Sequence, residues 1–320
     1  MRGRDERLFG KLIVLLGGSG FFGTHVSQEL LARGARLRIV SRHPHRAFRL
    51  SPMANLGQVQ PVAGDITRPE LLAPVFAGSH AVVNLVGAFS GNLDALQGSG
   101  VGRVAGLARD SGAQAFVHVS ALGADAASPV AYNRTKAEGE AAASAAFHET
   151  TILRPSVLFG EDDRFLNLFG RLIARLPVLP VFGPEAQLQP LDVDDAAQAV
   201  ANALAEPQRH RGRTYEIAGP EPITMLELNR RIAAAQRRQP VFVPLPDAVS
   251  GAFAAATGWL PGAPLSADQW ALLKDGNVLR GENGLKALGV SPRPLSLFLE
   301  RWMVRYRKHG RFGDRASAGS

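Results

Sequence analysis

The glycine-rich turn at residues 17–23 constrains the fold of this chain more than any other feature. It reads GGSGFFG, and it separates the apolar run LIVLL from a segment whose apolar residues recur at helical spacing up to Gly34. Gly17 permits a tight turn, Gly20 allows the backbone to approach an anion, and Gly23 allows the helix to lie close to the strand. The pattern predicts a strand, a phosphate-binding turn and a helix, in preference to a tight loop that binds no ligand.

The same alternation of strand and helix continues through the first half of the chain. Further apolar segments have the length of buried strands: ARLRIVS, QVQPVAGD, AVVNLVGA, AQAFVHVSA and TTILRP. Helical segments such as 101–109 and 132–147 separate them. The sequence therefore predicts an α/β fold of the Rossmann type, with a doubly wound parallel sheet, over residues 11–158.

The second half of the chain has a looser pattern. After Phe159 short apolar segments and helices are mixed, which predicts a smaller mixed C-terminal lobe over residues 159–300, with some elements returning to the sheet. Basic tails are expected at residues 1–10 and 301–320.

The end of the second predicted strand indicates which nucleotide the turn would bind. An NAD site has an acidic residue about 20 positions after the glycine turn, whereas a 2′-phosphate favours arginine. Here the chain reads IVSRHPHR, with Arg42 at this position, Ser41 beside it and no carboxylate. We therefore expect NADP(H) in preference to NAD(H), against the alternative that Arg42 is a solvated loop residue. The other residues expected along the nucleotide are Ser19, Phe21, Phe22, Asp65, Ile66, Val86 and Gly87. An Asp after a strand is equally suited to cap a helix, so both interpretations of Asp65 stay open.

A second constellation follows the fifth predicted strand. Ser120 lies at the end of that strand, and Tyr132 and Lys136 lie four residues apart at the start of the next helix. In this arrangement the tyrosine can exchange a proton with a carbonyl or alcohol, the lysine can lower the tyrosine pKa and bind the nicotinamide ribose, and the serine can orient the reacting oxygen. Together with the glycine turn, these residues resemble the short-chain dehydrogenase/reductase superfamily. Pro155 matches the proline that lies near the nicotinamide in that superfamily.

Longer segments resemble one branch of this superfamily. RPSVLFGEDDRFLNLF, QPLDVDDAAQAV, YEIAGPEPITMLEL and LERWMVRYRKHGRF are similar to the atypical branch that contains the NADPH-binding accessory subunit of respiratory complex I and its bacterial relatives. The resemblance implies a tightly held NADPH, a role in the assembly or stability of the complex near its quinone site, and no demonstrated turnover. Leu16 and Gln97 depart from the pattern of the extended enzymes, which bears on catalysis more than on cofactor binding. The alternative is an active NADP-dependent oxidoreductase or epimerase that acts on a carbonyl, sugar-nucleotide or quinone substrate.

Composition and charge exclude several other classes of protein. The chain has no Cys, and hence no disulfide or thiolate metal site, and no apolar run reaches the roughly 18 residues of a membrane span. Its net charge of +8 is concentrated in the two tails, and the nearly neutral body argues against a nucleic-acid groove. We expect a cytoplasmic protein whose basic tails are solvated ends, or contacts to an anionic membrane surface or an acidic partner. The resemblance implies a finer position, peripheral at the cytoplasmic face of the inner membrane, with complex I subunits as partners.

Two further segments admit more than one interpretation. Glu161, Asp162 and Asp163 are consecutive and do not converge easily as metal ligands, so they are expected at a helix N-terminus and no metal is expected. The segment 246–265 is rich in small apolar residues. It is expected to form a packed helix, with a surface that lies against a membrane or partner helices as the alternative.

Overall fold

A computed structural model of the protein describes residues 7–258, 266–308 and 310. Its strands are β1 (Leu12–Leu16), β2 (Arg36–Ser41), β3 (Val59–Ala63), β4 (Ala81–Asn84), β5 (Ala115–Val119), β6 (Thr151–Pro155), β7 (Leu158–Phe159), β8 (Val178–Val181), β9 (Gln187–Leu188), β10 (Leu191–Asp192), β11 (Thr214–Ile217), β12 (Ile223–Thr224) and β13 (Val241–Pro244). Its helices are α1 (Phe21–Ala32), α2 (Ala73–Phe76), α3 (Leu93–Gln97), α4 (Ser99–Asp110), α5 (Ala131–Ala146), α6 (Phe165–Arg175), α7 (Val193–Ala205), α8 (Pro207–His210), α9 (Met225–Ala235), α10 (Asp247–Thr257), α11 (Ala267–Asp275) and α12 (Ser296–Met303). Short 3-10 segments cover Pro44–Met53, Pro69–Leu71 and Val304–Tyr306. The six strands predicted in the first half are all present, as β1 to β6.

The described chain divides into two compact units, each of which uses separate stretches of sequence. The first unit comprises the described residues up to Pro155, together with Val193–Ile217 and Leu279–Ser291. The second comprises Ser156–Asp192, Ala218–Val278 and the described residues from Pro292 onwards. As a result, α7, α8 and β11 belong to the first unit although β7 to β10 precede them in the chain.

The first unit is built on a seven-stranded parallel sheet with the strand order β11-β6-β5-β4-β1-β2-β3. β1 is paired on one side with β2 and on the other with β4, so the strand order reverses at this point. Apolar side chains from the strands and from α4 and α5 form one core, which includes Val14, Val82, Phe116, Val104 and Phe147. This arrangement confirms the predicted doubly wound α/β fold. In such folds a ligand binds beyond the carboxyl ends of the strands, where the order reverses.

The second unit is smaller and mixed. Its strands form two-stranded pairs: β7 with β10, β8 with β13, and the antiparallel pair β9 with β12. Its core contains Phe159, Leu166, Leu228 and Leu299, and it includes side chains from α6, α9 and α12. The segment TYEIAG is not among these pairs: it forms β11, which extends the sheet of the first unit beside β6, as expected for an element that returns to the sheet.

The acidic segment 161–163 directly precedes α6. Asp163 Oδ1 accepts the N–H of Leu166 at 2.6 Å, so this carboxylate caps the start of α6. Within the described ranges, no group of His, Asp or Glu side chains has an arrangement that could hold a metal ion. Nor is any described helix both long enough and apolar enough to cross a bilayer. The described residues do not include residues 1–6, residues 259–265 of the segment 246–265, or most of the C-terminal tail.

Candidate functional site

The glycine-rich turn lies between the carboxyl end of β1 and the start of α1. Gly17 has a φ of +79°, a conformation that favours glycine. A Cβ at Gly23 would lie 2.4 Å from the Gly17 carbonyl oxygen, so the turn tolerates no side chain there. α1 begins after Gly20 with no side-chain cap and no acidic residue in its first turn. Its first N–H groups therefore remain as donors for an anion.

Two serines connect this turn to the end of β2. Ser19 Oγ donates to Ser41 Oγ at 2.8 Å, and Ser41 Oγ accepts the N–H of His43 at 3.1 Å. Ser19 is buried, whereas Phe21 and Phe22 are partly exposed at the start of α1. The serine pair holds the end of β2, where the nucleotide ribose is expected, beside the turn expected to bind phosphate.

An arginine that sequence reasoning missed also contacts the turn. Arg49 lies in the 3-10 segment after β2, and its Nη2 donates to the carbonyl oxygens of Ser19 at 2.8 Å and Gly20 at 3.4 Å. The same nitrogen donates to Thr24 Oγ1 in α1. Arg49 thus braces the turn and brings positive charge to it. Its place could not be read from the sequence, because the 3-10 segment carries it back across 29 residues to Gly20.

The residues predicted to contact the nucleotide near the ends of β2 and β3 differ in their exposure. Arg42 is exposed at the end of β2, and Ile66 is buried in the core. Asp65 Oδ1 accepts both the N–H of Thr67 at 2.9 Å and its hydroxyl at 2.8 Å. The pKa of Asp65 is lowered by these hydrogen bonds and, to a smaller extent, by the charge of Arg42. The Asp65 carboxylate therefore caps a local turn and lies within electrostatic reach of Arg42.

The loop after β4 runs past the second constellation. Asn84 is fully buried; its Nδ2 lies 3.2 Å from His118 Nδ1, and its Oδ1 accepts the N–H of Val86 at 3.1 Å. Val86 packs against the core of the first unit, and Gly87 is exposed. A Cβ at Gly87 would lie 3.1 Å from Lys136 Nζ, so the loop backbone passes close to this lysine.

Gln97 fixes this loop to the helix that carries Tyr132. Its Oε1 accepts the N–H of Ala88 at 3.1 Å, and its Nε2 donates to Thr135 Oγ1 of α5 at 2.9 Å. The side chain is completely buried. The glutamine that departs from the extended-enzyme pattern thus has a defined structural role, namely to hold the loop after β4 against α5.

The structure places Lys136 near Tyr132 and in contact with the residue that precedes Ser120. Lys136 is buried, and its Nζ donates to the carbonyl oxygen of Val119, the residue before Ser120, at 3.2 Å. The same Nζ lies 6.0 Å from the ring centroid of Tyr132, one helical turn away. Ser120 Oγ is buried and has no hydrogen-bond partner among the described residues. An unpaired buried hydroxyl is uncommon, and a bound ligand would satisfy it.

Burial determines the protonation of this group. It raises the pKa of Tyr132 to about 12 and lowers the pKa of Lys136 to about 8, the second effect being opposed by the Glu140 carboxylate. Burial, followed by the charge of Lys136, lowers the pKa of His118 to about 3. At neutral pH the lysine is mainly a cation, while the tyrosine keeps its proton and can donate a hydrogen bond.

Glu140, one turn after Lys136, connects the site to the sheet. It forms a bidentate ion pair with Arg154 of β6, with Nε–Oε1 and Nη2–Oε2 distances of 2.9 and 2.6 Å. Arg154 also lies 3.4 Å from Glu216 of β11. The ion pair of Glu140 with Arg154 was not predicted from the sequence. Only the position of Glu140 could have been predicted, because a spacing of four residues places its side chain and that of Lys136 on one helical face.

Phe89 covers part of the site. Its ring stacks on Tyr132, with centroids 4.5 Å apart and planes at 16°, while 62% of Phe89 remains exposed. One face of the tyrosine ring is thereby occupied by the protein itself. Pro155 is buried at the end of β6, and its carbonyl oxygen accepts the N–H of Leu122 at 2.9 Å.

Comparison with known proteins agrees with this geometry. A family model described as NAD(P)H-binding matches residues 17–169. The chain is 30% identical over 333 residues to NADH dehydrogenase (ubiquinone) 1 alpha subcomplex subunit 9, mitochondrial, of Arabidopsis thaliana, an alignment that covers 98% of this chain and 83% of the relative. It is 28% identical to a ceramide reductase of Caulobacter vibrioides over 74% of each chain. The triphenylmethane reductase of Citrobacter sp. complexed with NADP(H) has the same fold, with a TM-score of 0.74 and 20% identity over 91% of this chain and 99% of that one. The chain therefore belongs to the NAD(P)H-binding, short-chain-dehydrogenase-like family that includes subunit 9 of the mitochondrial NADH dehydrogenase (ubiquinone) 1 alpha subcomplex.

Proposed function

We propose that this protein binds NADP(H) in its first unit and serves as an accessory component in the assembly or stability of respiratory complex I, or in quinone metabolism. The observation that carries the proposal is the alignment over 98% of the chain with the complex I subunit of Arabidopsis thaliana. A peripheral position at the cytoplasmic face of the inner membrane belongs to the same proposal.

The residues of the turn fit the pyrophosphate of a dinucleotide. The uncapped N–H groups at the start of α1 would donate to it, and the missing side chain at Gly20 leaves the backbone accessible. A Cβ at Gly20 would meet only the Gly17 carbonyl oxygen, at 3.3 Å. Lys136, with a proton at neutral pH, would bind the nicotinamide ribose, and the unpaired Ser120 hydroxyl would bind at the reacting end.

The preference for NADP(H) over NAD(H) is assigned to Arg42. It is exposed at the end of β2, where a carboxylate would otherwise bind the ribose hydroxyls. A guanidinium can form two parallel hydrogen bonds to a phosphate, and at this position it would pair with the 2′-phosphate. Arg49 already donates to backbone carbonyls. We therefore assign to Arg49 only a general positive charge beside the turn, and to Arg42 the contact that distinguishes NADP(H) from NAD(H).

A structural role for the tyrosine is favoured over a catalytic one. With a pKa near 12, the hydroxyl of Tyr132 keeps its proton, and the Phe89 ring already occupies one face of the tyrosine. Both features suit a residue that donates a hydrogen bond to a nucleotide held for long periods.

The proposal is tested by the nucleotide content and the companions of the native protein. Protein isolated under mild conditions should contain NADPH and should co-purify with subunits of a membrane-bound NADH dehydrogenase. Arg42→Ala should weaken NADPH binding by about tenfold or more and leave NADH binding unchanged, as expected for the loss of a charge-assisted hydrogen bond. Arg36→Ala, at the opposite end of β2, is the matched control and should change neither. Protein that carries no nucleotide and binds NADPH no better than NADH would refute the assignment.

A second candidate function is that of an active NADP-dependent oxidoreductase or epimerase. It is favoured by the retained set of Ser120, Tyr132 and Lys136, and by the ceramide reductase among the relatives. NADPH, when bound, supplies a hydride. The Tyr132 hydroxyl would then give its proton to the substrate oxygen, while Lys136 stabilises the tyrosinate left behind. A panel of carbonyl, quinone and sugar-nucleotide substrates decides between the two functions: turnover that Tyr132→Phe abolishes, with NADPH binding retained, supports the enzyme.

A further inference from the structure

The pair of strands β8 and β13 in the second unit has an exposed apolar surface. The strands are parallel, with Val178 opposite Val241 and Pro180 opposite Val243. Val178, Val241 and Val243 are 50%, 61% and 40% exposed, and Pro180 is exposed as well. These four residues lie side by side on one face of the pair, which we call the valine face.

The opposite face of the pair is already covered. Leu179 and Val181, which alternate with the exposed residues of β8, are buried in the core of the second unit, and Phe242 of β13 packs against that core. Strands with apolar side chains on both faces are typical of parallel sheets that are covered on both sides. Within the described residues the pair is covered on one side only, so the valine face has the composition of an interface.

The apolar surface continues on both sides of the pair in the chain. Leu176, two residues before β8, is 40% exposed. After β13, α10 begins with Asp247, and its residues Ala248, Val249 and Ala252 are exposed. Residues 176–182 and 240–246 contain no polar side chain. Apolar surface of this extent is uncommon on a soluble protein and marks a site of interaction with a protein or a membrane.

The backbone of the pair disfavours the addition of a further strand. The N–H of Val241 donates to the Pro177 carbonyl at 2.8 Å, which joins the two strands. Pro180 and Pro244 each lie three residues after one of these bonded positions, so their backbone nitrogens face the outer edges of the pair, where they have no hydrogen to donate. A partner would therefore contact the side chains of the valine face, and would not pair with the strand edges.

Two arginines border the valine face at the amino end of β8. Arg171 and Arg175, in the last part of α6, are exposed and form no ion pair with any residue that the structure describes. A cation in the last turn suits the helix dipole, which accounts for Arg175 but not for Arg171, one turn earlier. The exposed acidic residues Glu185 and Asp247 follow the carboxyl ends of β8 and β13. Positive charge therefore lies at the amino end of β8.

We propose that the valine face docks on a lipid bilayer that contains acidic lipids, with the amino end of β8 towards their headgroups. A protein interface usually has aromatic anchors at its centre and about one hydrogen bond per 100–200 Å². The valine face offers neither, whereas acyl chains need no hydrogen bonds and acidic headgroups attract arginine. The inference deepens the peripheral position proposed above by naming the face that makes the contact, and it does not depend on NADP(H) binding.

The test measures the sedimentation of the full-length protein with vesicles of phosphatidylcholine, either alone or mixed with phosphatidylglycerol. Val178→Thr and Val241→Thr keep the branched shape that suits a strand but replace an exposed methyl group by a hydroxyl. Each should weaken vesicle binding about fourfold, because the contact loses one methyl group. Arg171→Gln and Arg175→Gln should each weaken binding to the acidic vesicles about fivefold and leave binding to phosphatidylcholine unchanged.

Matched controls lie in the first unit. Leu71→Gln removes an exposed apolar side chain and Arg103→Gln an exposed arginine, and both variants should bind vesicles as the unaltered protein does. The basic tails are present in every variant, so the comparison isolates the valine face. All variants should keep their thermal stability and their NADPH affinity, which separates a failure of this inference from a failure of the proposed nucleotide site.

Three results would overturn the proposal. The first is that the valine and arginine variants bind vesicles as the two controls do. The second is that the protein does not bind vesicles but forms a dimer in light scattering that Val178→Thr and Val241→Thr weaken, which would assign the valine face to a second copy of the chain. The third is that neither vesicle binding nor a dimer is observed, which would leave the valine face to a protein partner.

Discussion

The ion pair between Glu140 and Arg154 supports a quantitative prediction about the candidate site. Glu140→Gln removes a carboxylate that has two effects: it pairs with Arg154 in a bidentate geometry, and it raises the pKa of Lys136 against the effect of burial. The substitution keeps the size of the side chain. Its consequences therefore come from the lost charge.

The expected loss of stability follows from the burial of the pair. Breaking a fully buried pair by removing one partner costs about 3–5 kcal/mol. Here the Arg154 side chain is 26% exposed and still has Glu216 at 3.4 Å, so the loss should be lower, about 2 kcal/mol. Urea unfolding measures it. Glu216→Gln is the matched control: its contact with Arg154 is longer and its side chain 32% exposed, so the loss should stay below about 1 kcal/mol.

The expected effect on binding follows from Lys136. In the unaltered protein NADPH affinity should decrease as the pH rises through about 8, because Lys136 then loses the proton that makes it a cation. Without the Glu140 carboxylate the pKa of Lys136 is lower still, so the midpoint of this decrease should move to a lower pH. NADPH fluorescence titrations between pH 6 and pH 9 measure the midpoint. The reasoning is refuted if Glu140→Gln leaves the midpoint in place, or if Glu216→Gln shifts it equally.

Three further predictions address the turn, the aromatic stack and the buried lysine. Gly23→Ala should destabilise the protein by about 2 kcal/mol or more and abolish nucleotide binding, because the added Cβ would overlap the turn. Gly106→Ala is the control: the added Cβ has open space around it and should stabilise α4 by roughly 0.5–1 kcal/mol. Thermal melts compare the two variants. Phe89→Ala should make Tyr132 more accessible to a tyrosine-nitrating reagent without lowering stability by more than about 1 kcal/mol, and unchanged nitration would contradict the stacking argument. The pKa of Lys136 is about 8 in the folded protein and 10.5 in the unfolded chain. Between pH 8 and 10 the unfolded chain therefore holds more protons, and this lysine makes the free energy of unfolding rise with pH. Urea unfolding of the unaltered protein and of Lys136→Met over this pH range measures the contribution of the lysine.

Local patterns in the sequence were sufficient for the central part of the fold. β1, β2, β4, β5 and β6 contain apolar residues that are buried in the parallel sheet, whereas β3 lies at the edge of the sheet and is only partly buried. The glycine turn marks where the first strand ends, so these strands and the turn can be predicted without tertiary information. The pairing partner of β11 could not be predicted from the sequence. TYEIAG looks like any short strand, and its pairing with β6 depends on segments that are distant in sequence.

The same distinction applies to the candidate site. Ser120, Tyr132 and Lys136 were predicted because two of them share a helix and the third follows a strand, and the structure places Lys136 near Tyr132 and in contact with Val119, the residue before Ser120. Arg49 and Arg154 were missed, since each reaches its partner only through tertiary folding. Whether the predicted nucleotide residues bind NADP(H) stays a prediction that the binding experiments test.

The discontinuous first unit has a consequence for how the protein is made. Arg154 on β6 and Glu216 on β11 are 62 residues apart, and β6 has no neighbour on that side until β11 has been synthesised. At roughly 5–20 residues per second, a ribosome needs about 3 to 12 s to cover this distance. During that interval the nascent chain presents a β6 edge with unpaired backbone groups, which is a known route to mispairing between chains. A chaperone that shields this edge would therefore increase the yield of folded protein, and a chain truncated before residue 214 would keep the edge permanently open.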